Sequence, residues 1–223
     1  MSDEPRRPRI SVVDYGAGNL VSIEQALTSV GADVTVARDA APLAGADALV
    51  VPGVGAAAPA MERLARRNLV EPIRAWIAAD RPFLGICLGL QLLFEGSDED
   101  GATTLGVLPG RTSRLISAPT LPHIGWNQVV RTREHPAFDG IADGSDLYFV
   151  HSYAGVPAGA AEGSILARTD HGRPFVSAIA RGQLLGVQFH PERSGTDGLR
   201  LLANFVGLVP AGTIPRFPAE VTA

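Results

Sequence analysis

Pro82-Phe83-Leu84-Gly85-Ile86-Cys87-Leu88-Gly89-Leu90-Gln91 belongs to the most apolar part of the chain, and its reading decides the fold. The run is too short for a membrane span and is broken by glycines, so it belongs to a core. Pro82–Ile86 reads as a buried strand and the residues after Cys87 as an apolar helix. A residue between strand and helix, with glycine two positions away on either side, matches a nucleophile elbow. Such a turn holds its central residue in a strained backbone, and the missing side chains at 85 and 89 let the flanking segments pass close to it. At the start of a helix, unpaired N–H groups and the macrodipole would favour an anion, and Leu88 N–H would serve as an oxyanion donor. A lone cysteine in an apolar segment is ordinarily a small buried hydrophobe. Here the glycine bracket argues instead for a nucleophile.

Outward from this centre, Arg9–Asp14, Asp33–Ala37 and Ala46–Val51 read as strands. Leu20, Ile23, Leu27 and Val30 give Asn19–Val30 a helical face closed by Gly31, and Ala56–Ala79 reads as helical. Strand and helix alternate through the first half, which predicts an α/β fold: a mostly parallel central sheet flanked by helices. Gln128–Arg133, Asp146–Ser152, Ser164–Thr169, Phe175–Ala180 and Leu184–Phe189 are strand-like and separated by turn residues, which predicts an antiparallel portion in the second half. A last helix is expected from Gly195 to Phe205. Residues 1–8 read as a flexible extension, 9–208 as one domain and 209–223 as a loose tail rich in proline and alanine.

With 223 residues, 46% of them hydrophobic, the chain has enough apolar surface for one sizeable core. A net charge of −4 without any long basic run argues against nucleic acid or an anionic membrane as partner. No secretory signal is evident, and one cysteine permits neither an internal disulfide nor a cysteine-based zinc site. The expectation is a cytoplasmic protein in a reducing compartment that needs no metal or cofactor.

A nucleophile needs a base. Leu184–Phe189 runs into His190-Pro191-Glu192, and in extended backbone His190 and Glu192 would project to the same side, as suits an imidazole held by a carboxylate. Pro191 fixes its own φ and biases His190 towards extended backbone. The other histidines are weaker candidates: His123, His135 and His171 read as surface or supporting residues, while His151 ends a strand and is placed to line the same cleft. Val50-Val51-Pro52-Gly53-Val54-Gly55 follows a strand and could aim the Val54 N–H at a bound oxygen, Gly53 permitting a peptide reorientation. Gly16-Ala17-Gly18-Asn19 imitates a dinucleotide fingerprint but has Val21 where the third glycine belongs, so it reads as a tight turn.

Gly85–Gln91 and Gln188–Glu192 together resemble the nucleophile and His/Glu segments of the class I (triad) glutamine amidotransferases, a family of flavodoxin-like architecture. Asp14–Asn19, Pro52–Gly55, Pro122–Asn127 and Tyr148–Tyr153 are most similar to the glutaminase subunits of imidazole glycerol phosphate synthases, in histidine biosynthesis. The likeness runs from about Arg9 to Leu208. It implies hydrolysis of glutamine to glutamate and ammonia through a thioester at Cys87, with His190 as base and then acid and Glu192 as its orienter. It further implies oxyanion donors at Val54 and Leu88, and glutamine held by Gly53, Gln91, Glu99, Ser152 and Tyr153. The implied partner is a (β/α)8-barrel cyclase subunit forming a heterodimer, which uses the ammonia to make imidazole glycerol phosphate and the ribotide AICAR. Asn19, Trp126, Asn127 and Arg193 match positions at or near that interface. The family usually has lysine where Arg193 stands, and arginine keeps the charge but not the geometry. Rival readings are a glutaminase serving another synthase, and a non-hydrolytic redox or chaperone protein built on a cysteine elbow.

Overall fold

The structure is a computed structural model and describes residues 6–209. Nine strands form one sheet in the order β2-β1-β3-β4-β12-β11-β10-β7-β8. Its first half is parallel: β1 (Arg9–Val13) pairs with β2 (Asp33–Ala37) and β3 (Ala48–Gly53), β3 with β4 (Phe83–Cys87), and β4 with β12 (Leu184–Val187). Its second half is antiparallel, through β11 (Pro174–Arg181), β10 (Ile165–Asp170), β7 (His123–Arg131) and β8 (Ser145–His151). The α/β class and both halves of the sheet follow the sequence reading.

Burial explains the division. Every residue of β3, β4 and β12 is buried, as expected of parallel strands covered on both faces. Along β7, inward His123 and Val129 alternate with exposed Ile124, Trp126, Gln128 and Val130, so one face there meets solvent. One side of the sheet is covered by α1 (Leu20–Ser29) and α5 (Gly195–Leu208), which bury Ile23, Leu27, Leu201 and Phe205. The other carries α2 (Ala57–Arg66) and α3 (Val70–Ala78), with Leu64, Ile73 and Trp76 packed inward.

Three differences from the sequence reading have local causes. The single helical stretch Ala56–Ala79 is two helices, because Asn68 takes φ +54°, a left-handed conformation that asparagine tolerates and that ends a helix. A second sheet of β5 (Gly96–Ser97), β6 (Gly110–Arg114) and β9 (Tyr153–Pro157) was not foreseen. Gly-Arg-Thr-Ser-Arg carries no apolar alternation, and only Ser152 separates β8 from β9, so the change of sheet is hidden inside one apparent strand. The helix after Cys87, α4 (Leu88–Gln91), is a single turn. Bonds from Leu93 N to Leu90 O and from Phe94 N to Gln91 O tighten the chain to three-residue spacing and end it, so the macrodipole expected behind Cys87 is small.

Of the expected N-terminal extension, residues 1–5 lie outside the described residues, and Arg6 pairs with buried Asp47 through two bonds of 2.9 and 3.1 Å. Of the expected tail, Val209 is buried and residues 210–223 lie outside the described residues.

The elbow depends on backbone contact. A Cβ at Gly89 would fall on the Val51 carbonyl oxygen of β3, and one at Gly85 would stand 2.8 Å from the Gly89 carbonyl. Neither obstacle is a flexible side chain. We therefore expect Gly89→Ala to cost about 3 kcal/mol or more, lowering the melting temperature by roughly 6–12 °C, while Gly163→Ala, which meets open space, should leave it nearly unchanged. Equal melting temperatures for the two variants in a thermal shift assay would show that the elbow is not held by this contact.

Candidate active site

Parallel pairing brings three strand ends together. In the register of β3 on β4, Gly53 stands opposite Cys87, and in that of β12 on β4, Val187 stands opposite Ile86. Val54 and Leu88 therefore leave the sheet side by side, with Gln188 and His190 following on the other flank of Cys87. This is the crevice beyond the carboxyl ends of the strands where open α/β sheets place their sites.

Cys87 has φ +53° and ψ −107°, a left-handed backbone that L-residues rarely adopt and that costs roughly 1–3 kcal/mol. The thiol is 5% exposed. Gln188 Nε2 donates to its sulfur at 3.5 Å, and Gln188 Oε1 accepts from Gln91 Nε2 at 3.1 Å. Gln91 Nε2 also donates to the Tyr153 carbonyl at 2.8 Å, which ties together two positions expected to hold glutamine. Ser152 and Tyr153 are half-buried at the start of β9, and Glu99 lies exposed in the turn after β5. The Glu99 carboxyl is raised by partial burial and by Asp100.

His190 Nδ1 lies 2.8 Å from Glu192 Oε1, with both side chains 6% exposed. They do not meet by strand alternation. β12 ends at Val187, His190 is extended, and Pro191–Arg193 forms a 3-10 turn that swings Glu192 back onto the ring. Pro191, with its φ fixed in the helical range, is suited to start that turn. The carboxylate accepts from Nδ1, which leaves Nε2 towards the cleft. That nitrogen is buried without a hydrogen-bond partner among the described residues. Burial lowers the pKa of the ring, but the facing Cys87 sulfur and then Glu192 outweigh it and push it up to about 10. The sulfur thus acts on the ring that faces it, as suits a nucleophile and its base.

The backbone around His190 is also fixed. Its N–H donates to the Tyr148 carbonyl at 2.8 Å. Ser194 Oγ donates to the His190 carbonyl at 2.7 Å and accepts from Tyr148 N at 2.9 Å.

His123 is buried, not superficial. His151 Nδ1 faces the Tyr153 carbonyl at 2.8 Å and must donate to it, so His151 Nε2 accepts from His123 Nδ1 at 3.2 Å. Asn127 Nδ2 then donates to His123 Nε2 at 3.1 Å and to the Asp170 carbonyl at 2.8 Å. Burial holds His123 at about 4 and His151 at about 3, so both are neutral near pH 7. Asn127, expected at a partner interface, thus spends its amide within the chain. Trp126 and Arg193 behave differently: Trp126 is 55% exposed and packs edge-on against Tyr148, with the Arg193 guanidinium 4.1 Å above the same Tyr148 ring. Asn19 is exposed at the head of α1, where its side chain accepts from Ser22 N.

Sequence reasoning assigned no role to Gln188 or Ser194. Gln188 had a readable signal, since it stands two residues before His190 and shares its face of an extended segment. Ser194 had none, because its bond from the Tyr148 amide joins segments 46 residues apart.

The family model for class-I glutamine amidotransferases matches residues 11–208. The chain is 50% identical over 202 residues to imidazole glycerol phosphate synthase subunit HisH of Symbiobacterium thermophilum, covering 90% of this chain and 94% of the relative. It is likewise 50% identical to the same subunit of Chloroflexus aurantiacus, covering 88% and 94%. Among solved structures, PurLQS from Thermotoga maritima superposes with a TM-score of 0.72 at 18% identity, over 91% of this chain and 99% of that one, and so shares the fold.

Because the folded pKa of His190 lies above its unfolded value near 6.5, the charged ring's interactions with the Cys87 sulfur and with Glu192 stabilise the fold fully below about pH 6.5. That contribution is lost as the pH rises through about 10. Glu192→Gln removes the ionic pair. Wild type should therefore melt above the variant at about pH 6, and the difference should shrink as the pH approaches 10. A difference independent of pH would show that the carboxylate holds the ring without charge.

Proposed function

The chain belongs to the class I glutamine amidotransferase family, and on that premise we propose that it is the glutaminase subunit of an imidazole glycerol phosphate synthase in histidine biosynthesis. The observation that carries the chemistry is the register that sets a strained thiol, a carboxylate-held imidazole and two candidate oxyanion donors at adjacent strand ends.

In this reading His190 holds the proton taken from the Cys87 thiol, and Cys87 Sγ attacks the γ-carbonyl carbon of glutamine. The oxygen of the tetrahedral adduct takes up the electron pair and is held by the N–H groups of Leu88 and Val54. His190 gives its proton to the departing amine, and ammonia leaves with formation of the γ-glutamyl thioester. The imidazole then takes a proton from water, hydroxide attacks the thioester, and the imidazolium returns its proton to the departing sulfur as glutamate leaves. Glu192 fixes the tautomer and stabilises the imidazolium. Gly53, Gln91, Glu99, Ser152 and Tyr153 hold the substrate, and residues 9–208 act as one domain.

Ammonia released into water is protonated and loses its nucleophilicity, so it has to reach a second active site directly. The partner in this reading is a (β/α)8-barrel cyclase. The exposed Trp126 edge, with Arg193 above Tyr148, supports an interface on this face, since clustered aromatic and arginine side chains anchor protein contacts. A cytoplasmic setting, which keeps the single thiol reduced, agrees with the reading. Among the described residues no helix is long and apolar enough to cross a membrane.

Cys87→Ala is expected to abolish glutamine hydrolysis and to leave cyclase binding within about twofold. Wild-type-like ammonia release from that variant would remove Cys87 from the mechanism. Arg193→Ala should weaken the complex roughly tenfold, or about 1.4 kcal/mol, as read by titration calorimetry. The isolated chain should hydrolyse glutamine only weakly, because in this reading the loop at Val54 completes the oxyanion hole only after rearrangement, and full turnover without a partner would contradict this.

A further inference from the structure

Tyr15 is a core residue with an unexplained end. It is 0% exposed, and its hydroxyl has no hydrogen-bond partner among the described residues. An orphaned buried hydroxyl is a standing cost that calls for an explanation, and a partner supplied in another state of a neighbouring loop is one.

Its position shows which state. A Cβ built on Gly53 would fall on the Tyr15 hydroxyl, and the same point is 3.2 Å from Tyr15 Cζ and 3.1 Å from Leu88 Cβ. The hydroxyl therefore occupies the place of the side chain that Gly53 lacks, wedged against the residue before Val54 and against Leu88, the two positions proposed to hold the oxyanion. The sequence reading took Gly53 as a source of backbone freedom, and the packing gives it a second purpose, since any side chain there would displace Tyr15. The tyrosine cannot easily turn elsewhere. Asp14 beside it accepts from Arg38 Nε at 2.9 Å and Gly16 N at 2.8 Å, the Asp14 carbonyl accepts from Arg67, and Gly18 packs on Gly53.

A peptide is planar, and its N–H and C=O point in opposite directions. Turning the 53–54 peptide so that Val54 N–H faces the cleft turns the Gly53 carbonyl to the buried side, where it needs a donor. We propose that Tyr15 is a positioning residue of the oxyanion hole, its buried hydroxyl donating to the Gly53 carbonyl when Val54 N–H faces the substrate. The inference rests on the glutaminase reading and deepens it: the tyrosine stabilises the working orientation of the loop and touches neither substrate nor thiol.

The test uses Tyr15→Phe in the full chain, assembled with the cyclase subunit and its ligand. Three results are expected together. The kcat for glutamine hydrolysis falls roughly five- to tenfold, the worth of one hydrogen bond, with KM within about twofold. The rate at which iodoacetamide alkylates Cys87 stays the same, because displacement at a saturated carbon builds no oxyanion. The melting temperature of the isolated variant is unchanged or higher, because the deleted hydroxyl had no partner. An unchanged kcat would overturn the proposal, as would slowed alkylation or a fall in melting temperature matching the loss of activity. A loss of a hundredfold or more would make the hydroxyl a direct donor to the oxyanion and overturn the positioning role. A wild-type complex that hydrolyses no glutamine would overturn the glutaminase reading and this proposal with it. That case is distinct, since failure of the proposal alone leaves the wild type active.

Discussion

The approach of the segment after Cys87 to strand β3, backbone on backbone, is the constraint from which the site follows. With no Cβ at Gly89, the Val51 carbonyl can lie against it, and with none at Gly85 the Gly89 carbonyl can fold back over the strand. Those contacts force the sharp turn that leaves Cys87 at φ +53°. The strain of roughly 1–3 kcal/mol is held by the buried sheet on either side, in which every residue of β3 and β4 is covered. The same closeness fixes the register of Gly53 opposite Cys87. The positions proposed for the nucleophile and the oxyanion donors are therefore set by one packing contact.

This explains which features could be read from residues alone. Periodicity and glycine spacing are local, and they located the parallel half, the elbow and the pairing of His190 with Glu192. The route to that pairing was misjudged, because an extended His190 followed by a 3-10 turn brings Glu192 onto the ring, the same outcome that strand alternation predicts. The second sheet stayed hidden because β6 is polar and β9 follows β8 after one residue. Ser194 and the buried state of His123 depend on contacts across distant segments and leave no mark in local pattern.

The polar groups around the sulfur form two branches that meet at the Tyr153 carbonyl. Gln91 and Gln188 reach it from one side and join the Tyr153 backbone to the nucleophile. His151 and His123, held neutral by burial, sit behind and end in the Asn127 amide. A second charged imidazole beside His190 would repel the imidazolium that the thiolate and Glu192 stabilise. Burial of the other two keeps positive charge on the one ring that faces sulfur.

The two halves of the machinery also differ in how firmly they are set. His190 is fixed by its carboxylate, by the bond from its N–H to Tyr148, and by Ser194, which bridges its carbonyl to the Tyr148 amide. Tyr148 in turn lies beneath Arg193 and beside Trp126, so the base shares a backbone with the most exposed aromatic edge. A partner docking there, as proposed, would meet a support already held by these bonds. Val54, by contrast, is 47% exposed with glycine on either side, and Gly55 has φ +94°. A peptide flanked by glycines is cheap to turn, whereas a triply bonded histidine is not. In the proposed reading, control by a partner over catalysis falls on the loop at Val54 rather than on His190, and the buried hydroxyl of Tyr15 stands against Gly53 beside it.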